Sequence, residues 1–254
     1  MAELAAPELQ RYARQLILPD WGQKAQLRLR RATVFVAGAG GLGSPVVLYL
    51  AAAGVGRLRV CDGAEVELSN LNRQILYSEA DVGHRKAELI AGIVTGRNPL
   101  VKIEGISAVI TSDNIDSLVG GVDVILDCLD NFPARLILNE HAVRRRIPMV
   151  HAGVYGWAGQ VTFLHPPRTP CLACLLSANP PDGNLADRPI PIIGVTAGVV
   201  GSIQATEALR FLAGKKPLLS GRILFWDGAR MSFHISREKP DPLCPVCGKF
   251  SPKN

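Results

Sequence analysis

The sequence has few aromatic residues and no long uninterrupted apolar segment. Aromatic side chains make up 6% of its 254 residues, and its longest apolar stretch, PIPIIGVTAGVVGSIQATEALRFL, is interrupted by Ser202, Gln204 and Glu207. Such a stretch suits a buried helix better than a membrane span, which needs about 20 predominantly apolar residues. The first residues, MAELAAPELQRYARQ, lack the basic start and apolar run of a secretory signal. We therefore expect a cytoplasmic protein that does not associate with membranes.

The sequence also lacks a strong excess of charge, an internal repeat and a low-complexity tract. Its formal net charge is +6, with 20% charged and 48% hydrophobic residues. This length and composition predict one large domain with a substantial core. So modest a charge suits an acidic protein partner and does not indicate nucleic-acid binding.

Four of the six cysteines form two C-x-x-C pairs, Cys171 with Cys174 and Cys244 with Cys247. This spacing is typical of a structural tetrahedral zinc site, and a complete set of four thiolates leaves no open catalytic position. Disulfides are not expected in the cytoplasm, and the thioredoxin-like setting of a redox C-x-x-C is missing. The four cysteines are therefore predicted to bind Zn²⁺ once the fold brings the two pairs together.

Strand-like and helix-like segments alternate through the first 153 residues. Short apolar runs, typical of buried parallel strands, are followed by segments whose apolar residues recur at helical spacing. This order predicts an α/β fold with right-handed β-α-β units around a mostly parallel, Rossmann-like sheet flanked by helices. The predicted strands are 32–38, 57–62, 101–107, 122–130 and 148–153, and the predicted helices include 44–53, 84–96 and 132–146.

The pattern changes after Gly153. VYGWAGQVTFLHP, RILFWDG and MSFHISRE have the alternation of shorter strands that pair antiparallel. Segment 179–192, rich in Pro, Asp, Asn and Gly, predicts a mobile loop. We expect a single domain over 1–254, with a nucleotide-binding half at 1–153 and a smaller antiparallel half at 154–254 that carries the zinc site.

A glycine-rich motif lies between the first predicted strand and the helix that follows it. Gly38, Gly40, Gly41 and Gly43 match G-x-G-x-x-G, which lets backbone N–H groups approach a phosphate at a helix N-terminus. Asp62 ends the next predicted strand, where a carboxylate can accept a hydrogen bond from a ribose hydroxyl. These residues predict an adenine-nucleotide site and leave NAD and ATP both open.

The stretch SNLNRQ, just after the Asp62 strand, favours ATP. A triphosphate needs cations, a metal ion or both, and this stretch supplies Arg73 together with the amides of Asn70 and Gln74. Lys86, at the start of the next helix, adds a second cation. Asp130, at the end of the strand predicted over 122–130, could hold Mg²⁺ with phosphate oxygens. Each residue alone could be an ordinary surface or capping group, whereas together they indicate Mg-ATP.

The order of several motifs resembles that of the MoeB/ThiF/HesA group, prokaryotic relatives of the adenylation domain of ubiquitin-activating enzymes. The resemblance covers the chain from about Arg11 to Gly248. Its motifs are RYARQLILPDWGQ, GAGGLGSP, AAAGVGRLRVCDGAEVELSNLNRQ, VGHRKAE, RNP, DCLDNFPARLILN, GWAGQ and GSIQATEAL.

The resemblance implies an adenylyltransferase that uses Mg-ATP to adenylate the C-terminal glycine carboxylate of a ubiquitin-like sulfur carrier protein. By this resemblance, Asp62 would bind the ribose of ATP, and the phosphates would be bound by Asn70, Arg73 and Lys86. Asp130 would be the metal-associated aspartate on which adenylation depends. The carrier, with its C-terminal Gly-Gly, would bind in the second half of the chain, which would also form the dimer contacts.

The resemblance further implies a homodimer, because Arg14 looks like the arginine that reaches the ATP of the neighbouring subunit. Many relatives also have a cysteine in the crossover loop, at a position that aligns with Asp187, but no cysteine lies between residues 174 and 244. Cys61 and Cys128 fall in predicted buried strands, where cysteine behaves as a small apolar residue. We therefore expect adenylation without an enzyme thioester, with sulfur supplied by a separate donor protein.

Two other function classes stay open at this stage. A nicotinamide-dependent oxidoreductase fits the glycine motif and Asp62, but it leaves the cations and Asp130 unexplained. A nonenzymatic adenylation-like scaffold fits the missing loop cysteine, but it does not explain why every charged position of the ATP site is present. His151, His165 and Trp157 are predicted to be structural, without a catalytic partner.

Overall fold

The computed structural model describes residues 3–178 and 191–250. Its strands are β1 (Thr33–Ala37), β2 (Arg57–Cys61), β3 (Lys102–Ile106), β4 (Val124–Asp127), β5 (Met149–Tyr155), β6 (Ala158–Leu164), β7 (Arg222–Asp227) and β8 (Ser232–Arg237). They form one sheet in the order β3-β2-β1-β4-β5-β6-β7-β8. The pairs from β3 to β5 are parallel and those from β5 to β8 antiparallel. The predicted α/β sheet, parallel first and antiparallel later, is confirmed.

Helices cover both faces of the sheet. In the described ranges they are α1 (Ala6–Arg11), α2 (Ala13–Leu16), α3 (Gly22–Arg31), α4 (Gly43–Ala53), α5 (Lys86–Arg97), α6 (Ile115–Val119), α7 (Phe132–Arg145), α8 (Leu172–Ala178) and α9 (Gly194–Leu212). Helix α4 ends at Gly54, whose φ of 86° places it in the left-handed region that favours glycine. Helix α7 begins after Asn131, whose side chain accepts the Ala134 N–H.

Two cores lie on opposite faces of β1, as alternation along a strand requires. Val34 and Val36 pack with apolar side chains of α3, α4, α5 and α9. Phe35 and Ala37 pack with those of α6, α7 and α8. The last four of the five β1 side chains are fully buried, so this strand is a continuous apolar run rather than an alternating one.

Strand β4 is shorter than the segment predicted over 122–130, and the prediction that Asp130 ends it is wrong. The strand ends at Asp127, whose side-chain Oδ1 accepts the Leu129 N–H at 3.1 Å. This local bond competes with continued strand pairing and turns the chain. Asp130 therefore lies in the connection between β4 and α7, three residues beyond the strand.

The loop predicted over 179–192, including Asp187, lies outside the described residues except for Pro191 and Ile192. Those two pair with the turn between β5 and β6, where Gly156 N–H donates to Pro191 O at 2.7 Å. In the described part of the chain, no helix is long and apolar enough to cross a membrane.

Candidate active site

The glycine motif forms a tight turn between β1 and α4. A Cβ on Gly43 would lie 2.1 Å from the Gly38 carbonyl oxygen. Gly38 has a φ of 94°, and a Cβ there would lie 2.7 Å from the carbonyl oxygen of Cys128. Both positions therefore require glycine. The turn opens at the N-terminus of α4, where the helix dipole favours an anion.

Asp62 lies directly against this turn. Its Oδ2 accepts the Ala39 N–H at 2.8 Å, and its Oδ1 accepts the Ala64 N–H at 2.8 Å. An ionised carboxylate has about four acceptor sites, so two remain for a ligand hydroxyl. The structure thus holds the Asp62 carboxylate beside the glycine turn, in the position that the sequence predicts for a ribose-binding group.

The SNLNRQ stretch packs on the same turn. A Cβ on Gly40 would lie 3.6 Å from Gln74 Nε2, and one on Gly41 would lie 3.5 Å from Arg73 Cγ. Asn70 and Gln74 are buried, and Gln74 Oε1 has no hydrogen-bond partner among the described residues. A buried amide oxygen without a partner is costly unless a ligand or water completes it.

The Arg73 guanidinium is oriented by its own neighbours. It donates to Ser69 O at 2.9 Å and to Asn72 Oδ1 at 3.0 Å. The first residue of α9 packs on this segment, because a Cβ on Gly194 would lie 2.2 Å from Asn72 O. The start of α9 therefore adjoins both the glycine turn and Arg73.

Lys86 is a buried cation near Asp62. It is the first residue of α5, its backbone N–H donates to Ala64 O at 3.1 Å, and only 6% of the residue is exposed. Its side-chain ammonium group forms no hydrogen bond or ion pair with any residue that the structure describes. A buried ammonium group is expensive to leave unpaired, so an anionic ligand is its natural partner.

Asp130 is exposed in the connection between β4 and α7. Its carboxylate has no hydrogen bond or ion pair in the described part of the chain, and the cap of α7 is Asn131 instead. An exposed carboxylate at the end of parallel strands fits the chemistry of Mg²⁺, which takes one or two carboxylates together with phosphate oxygens and water.

A buried group of three charged or titratable side chains, which sequence reasoning missed, lies beneath this connection. Asp127 and His151 occupy paired positions on β4 and β5, and His151 Nδ1 lies 2.6 Å from Asp127 Oδ2. Arg135 Nε, from α7, lies 3.7 Å from Asp127 Oδ1. Asp127 is therefore a polar partner of His151, and the prediction that His151 is structural, without a catalytic partner, stays a prediction. Only strand register brings the two together, and neither residue has a motif that reveals it.

The charges of this group follow from burial and contact. Burial opposes ionisation of Asp127, but Arg135 and the hydrogen bond from His151 outweigh it and hold the pKa of Asp127 below its usual value. Burial lowers the pKa of His151, and the contact with Asp127 offsets this only in part. We infer an ionised Asp127, a cationic Arg135 and a neutral His151 that donates its Nδ1–H to Asp127.

Gln204 of α9 joins the last residue of β4 to the second residue of β5. Its Nε2 donates to Asp127 O and to Val150 O, both at 2.9 Å, and its Oε1 accepts the Cys128 thiol at 3.4 Å. The GSIQATEAL motif thus places a buried amide under the same connection that carries Asp130.

Arg14 does not join the site within one chain. It is exposed on α2, and its neighbour Gln15 donates to Ala53 O at 3.2 Å, at the C-terminal end of α4. The glycine turn lies at the other end of this 11-residue helix, about 16 Å away along its axis.

The four cysteines of the C-x-x-C pairs meet in a separate cluster. The Sγ atoms lie within 4.8 Å of one another, with separations of 3.9 Å for Cys171–Cys174, 3.7 Å for Cys171–Cys244 and 3.3 Å for Cys174–Cys247. Zn–S bonds of about 2.3 Å give a tetrahedron with edges of about 3.8 Å. The cluster therefore fits a closed structural Zn²⁺ site, as the spacing predicts. It packs against Val143 of α7.

Comparison with known proteins adds three findings. A family profile described as the ThiF family matches residues 12–246. The SAMP-activating enzyme E1 of Haloferax volcanii is 43% identical over 247 residues, which cover 97% of this chain and 91% of that protein. The sulfur carrier protein adenylyltransferase of Thermus thermophilus is 42% identical, over 95% of this chain and 91% of that protein.

The fold also matches a solved structure. The crystal structure of E. coli MccB with succinimide superposes with a TM-score of 0.84 at 24% identity, covering 94% of this chain and 73% of that one. The eight-stranded mixed sheet with helices on both faces is therefore a known arrangement.

Proposed function

This chain belongs to the ThiF family, and we propose that it transfers AMP from ATP to the C-terminal glycine carboxylate of a ubiquitin-like sulfur carrier protein. The substrate class is suggested by the names of the two relatives that match over almost their whole length. The observation that carries the proposal is Lys86, a buried ammonium group that has no partner among residues 3–178 and 191–250 and lies near a glycine turn suited to phosphate.

In the proposed reaction, a carboxylate oxygen of the carrier forms a bond to the α-phosphorus of ATP. The bond from that phosphorus to the oxygen bridging to the β-phosphate breaks, and pyrophosphate departs with the bonding electrons. The attacking carboxylate is already ionised at neutral pH, so no side chain needs to remove a proton. Because an anion attacks an anion, orientation and charge neutralisation dominate the rate.

The site residues divide this work. Asp62 would hold the ribose, and the glycine turn with Asn70 and Gln74 would orient the phosphates through neutral hydrogen bonds. Arg73 and Lys86 would offset the negative charge that grows on pyrophosphate. Mg²⁺, held with Asp130 when ATP binds, would neutralise further phosphate charge.

The cysteines support transfer without an enzyme thioester. All six cysteines of the chain are buried. Burial raises the pKa of the Cys61 thiol to about 11 and also raises that of Cys128. Because a thiolate is the nucleophile, neither thiol is suited to attack an acyl adenylate at neutral pH. The proposal therefore has a separate protein deliver sulfur to the adenylated carrier.

The central test is ATP–pyrophosphate exchange that depends on a carrier. The purified protein is mixed with Mg-ATP, labelled pyrophosphate and each small Gly-Gly-terminated protein of the source organism. We expect exchange with one carrier and its loss in Asp130→Ala, whereas Asp113→Ala, which removes an exposed carboxylate elsewhere, should match wild type. Absence of exchange with every carrier, despite ATP binding, would reject this substrate class.

A homodimer is proposed because Arg14 lies far from the site of its own chain. The partner's copy of Arg14 would then complete each site across the interface. Arg14→Ala and Asp130→Ala should each be inactive, while coexpression of the two should restore about a quarter of wild-type exchange, through mixed dimers with one intact site. Full activity of Arg14→Ala alone would exclude this arrangement.

A further inference from the structure

The residue before Asp130 is held from both sides by buried charges. The Leu129 N–H donates to Asp127 Oδ1 at 3.1 Å, and the Leu129 carbonyl accepts a hydrogen bond from the Arg135 guanidinium. Both backbone polar groups of Leu129 are therefore bound by the buried ion pair. The exposed Asp130 follows directly, and its side chain has no hydrogen bond or ion pair with the described residues.

The ion pair is itself anchored to the sheet. The same Nη2 of Arg135 also donates to Ala152 O on β5 at 3.0 Å. His151, also on β5, binds the other oxygen of Asp127 at 2.6 Å. The connection that carries Asp130 is thus fixed to two strands and one helix by three side chains, all of them at least 90% buried.

Stability alone is a weak reason for such an arrangement. Replacing a buried ion pair with apolar side chains of similar volume is often neutral or stabilising, because desolvation of the charges offsets their attraction. The three buried side chains instead fix the position of the backbone that carries Asp130, the carboxylate of this connection that has no partner of its own among the described residues.

We propose that Arg135, Asp127 and His151 are positioning residues that hold Asp130 where it meets the metal–nucleotide complex. This inference rests on the proposed function only in assigning a metal–nucleotide ligand to Asp130. None of the three side chains needs to touch substrate. Their effect passes through the backbone N–H and C=O of Leu129.

The first test measures metal binding rather than turnover. Mn²⁺ is titrated into the protein with a nonhydrolysable ATP analogue, and free Mn²⁺ is followed by electron paramagnetic resonance. Arg135→Met should weaken Mn²⁺ binding about 10-fold, the lower end of the cost of removing a group that supports a metal ligand. Arg144→Met, which removes an exposed arginine of the same helix paired with Asp116, should bind Mn²⁺ like wild type.

A double-mutant cycle distinguishes a loss of Mn²⁺ affinity that depends on Asp130 from one caused by general destabilisation of the protein. In an Asp130→Ala background, Arg135→Met should cause no further loss of Mn²⁺ affinity, because the carboxylate that it positions is gone. An equal loss in both backgrounds, or wild-type affinity in a folded Arg135→Met, would overturn the inference. If Arg135→Met does not fold, Arg135→Lys and Asp127→Asn enter the same cycle.

Failure of the positioning role and failure of the proposed function give different results. If wild type shows no carrier-dependent exchange but the cycle shows the expected coupling, the substrate proposal fails and the positioning role stands. If exchange is normal and depends on Asp130 while the cycle shows no coupling, the positioning role fails alone.

Discussion

At the scale of single residues, His151 illustrates how burial and one neighbour define a protonation state. Its ring donates to an ionised Asp127 and is buried with it, so the pKa of His151 lies below its usual value. We expect long-range proton–nitrogen NMR spectra to show a neutral ring with the proton on Nδ1 at pH 7 to 8, and a ring pKa below that of an exposed histidine. The histidine of the unfolded chain takes up a second ring proton more readily than that of the folded protein, so the contribution of His151 to stability falls as the pH drops below about 6.5.

The ring signals of His151 are assigned as those that are missing from the spectrum of a His151→Gln variant. A ring that titrates with an ordinary pKa, or a neutral ring with its proton on Nε2, would contradict the assigned hydrogen bond. The tautomer is the informative quantity, since a histidine merely enclosed by apolar residues would have no reason to place its proton toward Asp127.

Lys86 allows stability to be separated from function. Lys86→Met removes a buried charge that has no described partner and keeps most of the side-chain volume. We expect the free energy of unfolding without nucleotide to rise by about 1 kcal/mol, measured by denaturant titration, because an unsatisfied buried group is removed.

The same variant should bind ATP about 10- to 100-fold more weakly, the cost of losing a charged hydrogen bond to phosphate. Lys102→Met, at an exposed position of β3, serves as the control and should change neither quantity. A large loss of stability in Lys86→Met would show that the ammonium group has a structural partner, and would remove the main support for a phosphate-binding role.

The side chains of Gln74 and Arg73 lie against the glycine turn, while their roles in binding nucleotide stay predictions. The turn follows β1 and the stretch follows the neighbouring parallel strand β2, so both lie beyond the carboxyl ends of these strands. Asp127 was missed, because its place inside an apolar run gives no sign of a partner 24 residues away. Strand register, which pairs it with His151, depends on the whole sheet.

At the scale of elements, the glycines at positions 43 and 92 differ in the space around their Cβ positions. Gly43 packs so closely on Gly38 that no Cβ fits, whereas Gly92, exposed in the middle of α5, has open space around its Cβ position. Gly92→Ala should raise the free energy of unfolding by about 0.5–1 kcal/mol, because alanine lowers the entropy of the unfolded chain and favours the helix.

Gly43→Ala is the matched comparison. The same added methyl group should there destabilise the protein and reduce ATP affinity, because the turn must open to admit it. Equal effects at the two positions, measured by denaturant titration and nucleotide binding, would contradict the close packing of the turn.

The elements themselves were largely predictable. Apolar runs such as β1 and the helical spacing of α5 and α7 are local signals, and the structure has each of them close to the predicted position. Strand β4 was drawn too long because the apolar pattern continues past Asp127, while the turn is imposed by a side-chain bond to Leu129. Antiparallel continuation by β6, β7 and β8 followed from their alternating segments, but the prediction that these strands are shorter is wrong. Strand β6 has 7 residues and β7 and β8 have 6 each, against 4 or 5 in β1 to β4.

At the scale of the whole molecule, the cysteine cluster joins parts of the chain that are distant in sequence. Cys171 and Cys174 lie at the start of α8. Cys244 and Cys247 lie in the C-terminal segment after β8, and their Sγ atoms meet those of the first pair. The sequence predicted the ligands but not what they pack against, which is helix α7 through Val143. Bound Zn²⁺ would thus tie the C-terminal segment to the helix that follows the Asp130 connection.

Removing the metal should therefore release one segment rather than unfold the sheet. We expect one Zn²⁺ per chain, measured with a chromogenic chelator, and four thiols that become reactive on chelation. Cys61 and Cys128 should stay protected, because they lie in the sheet core. Release of the C-terminal segment should also lower the midpoint of thermal unfolding, since the metal binds only the folded arrangement. Four thiols that react equally fast before chelation would show that no metal is bound, and exposure of all six would show that the sheet itself depends on the cluster.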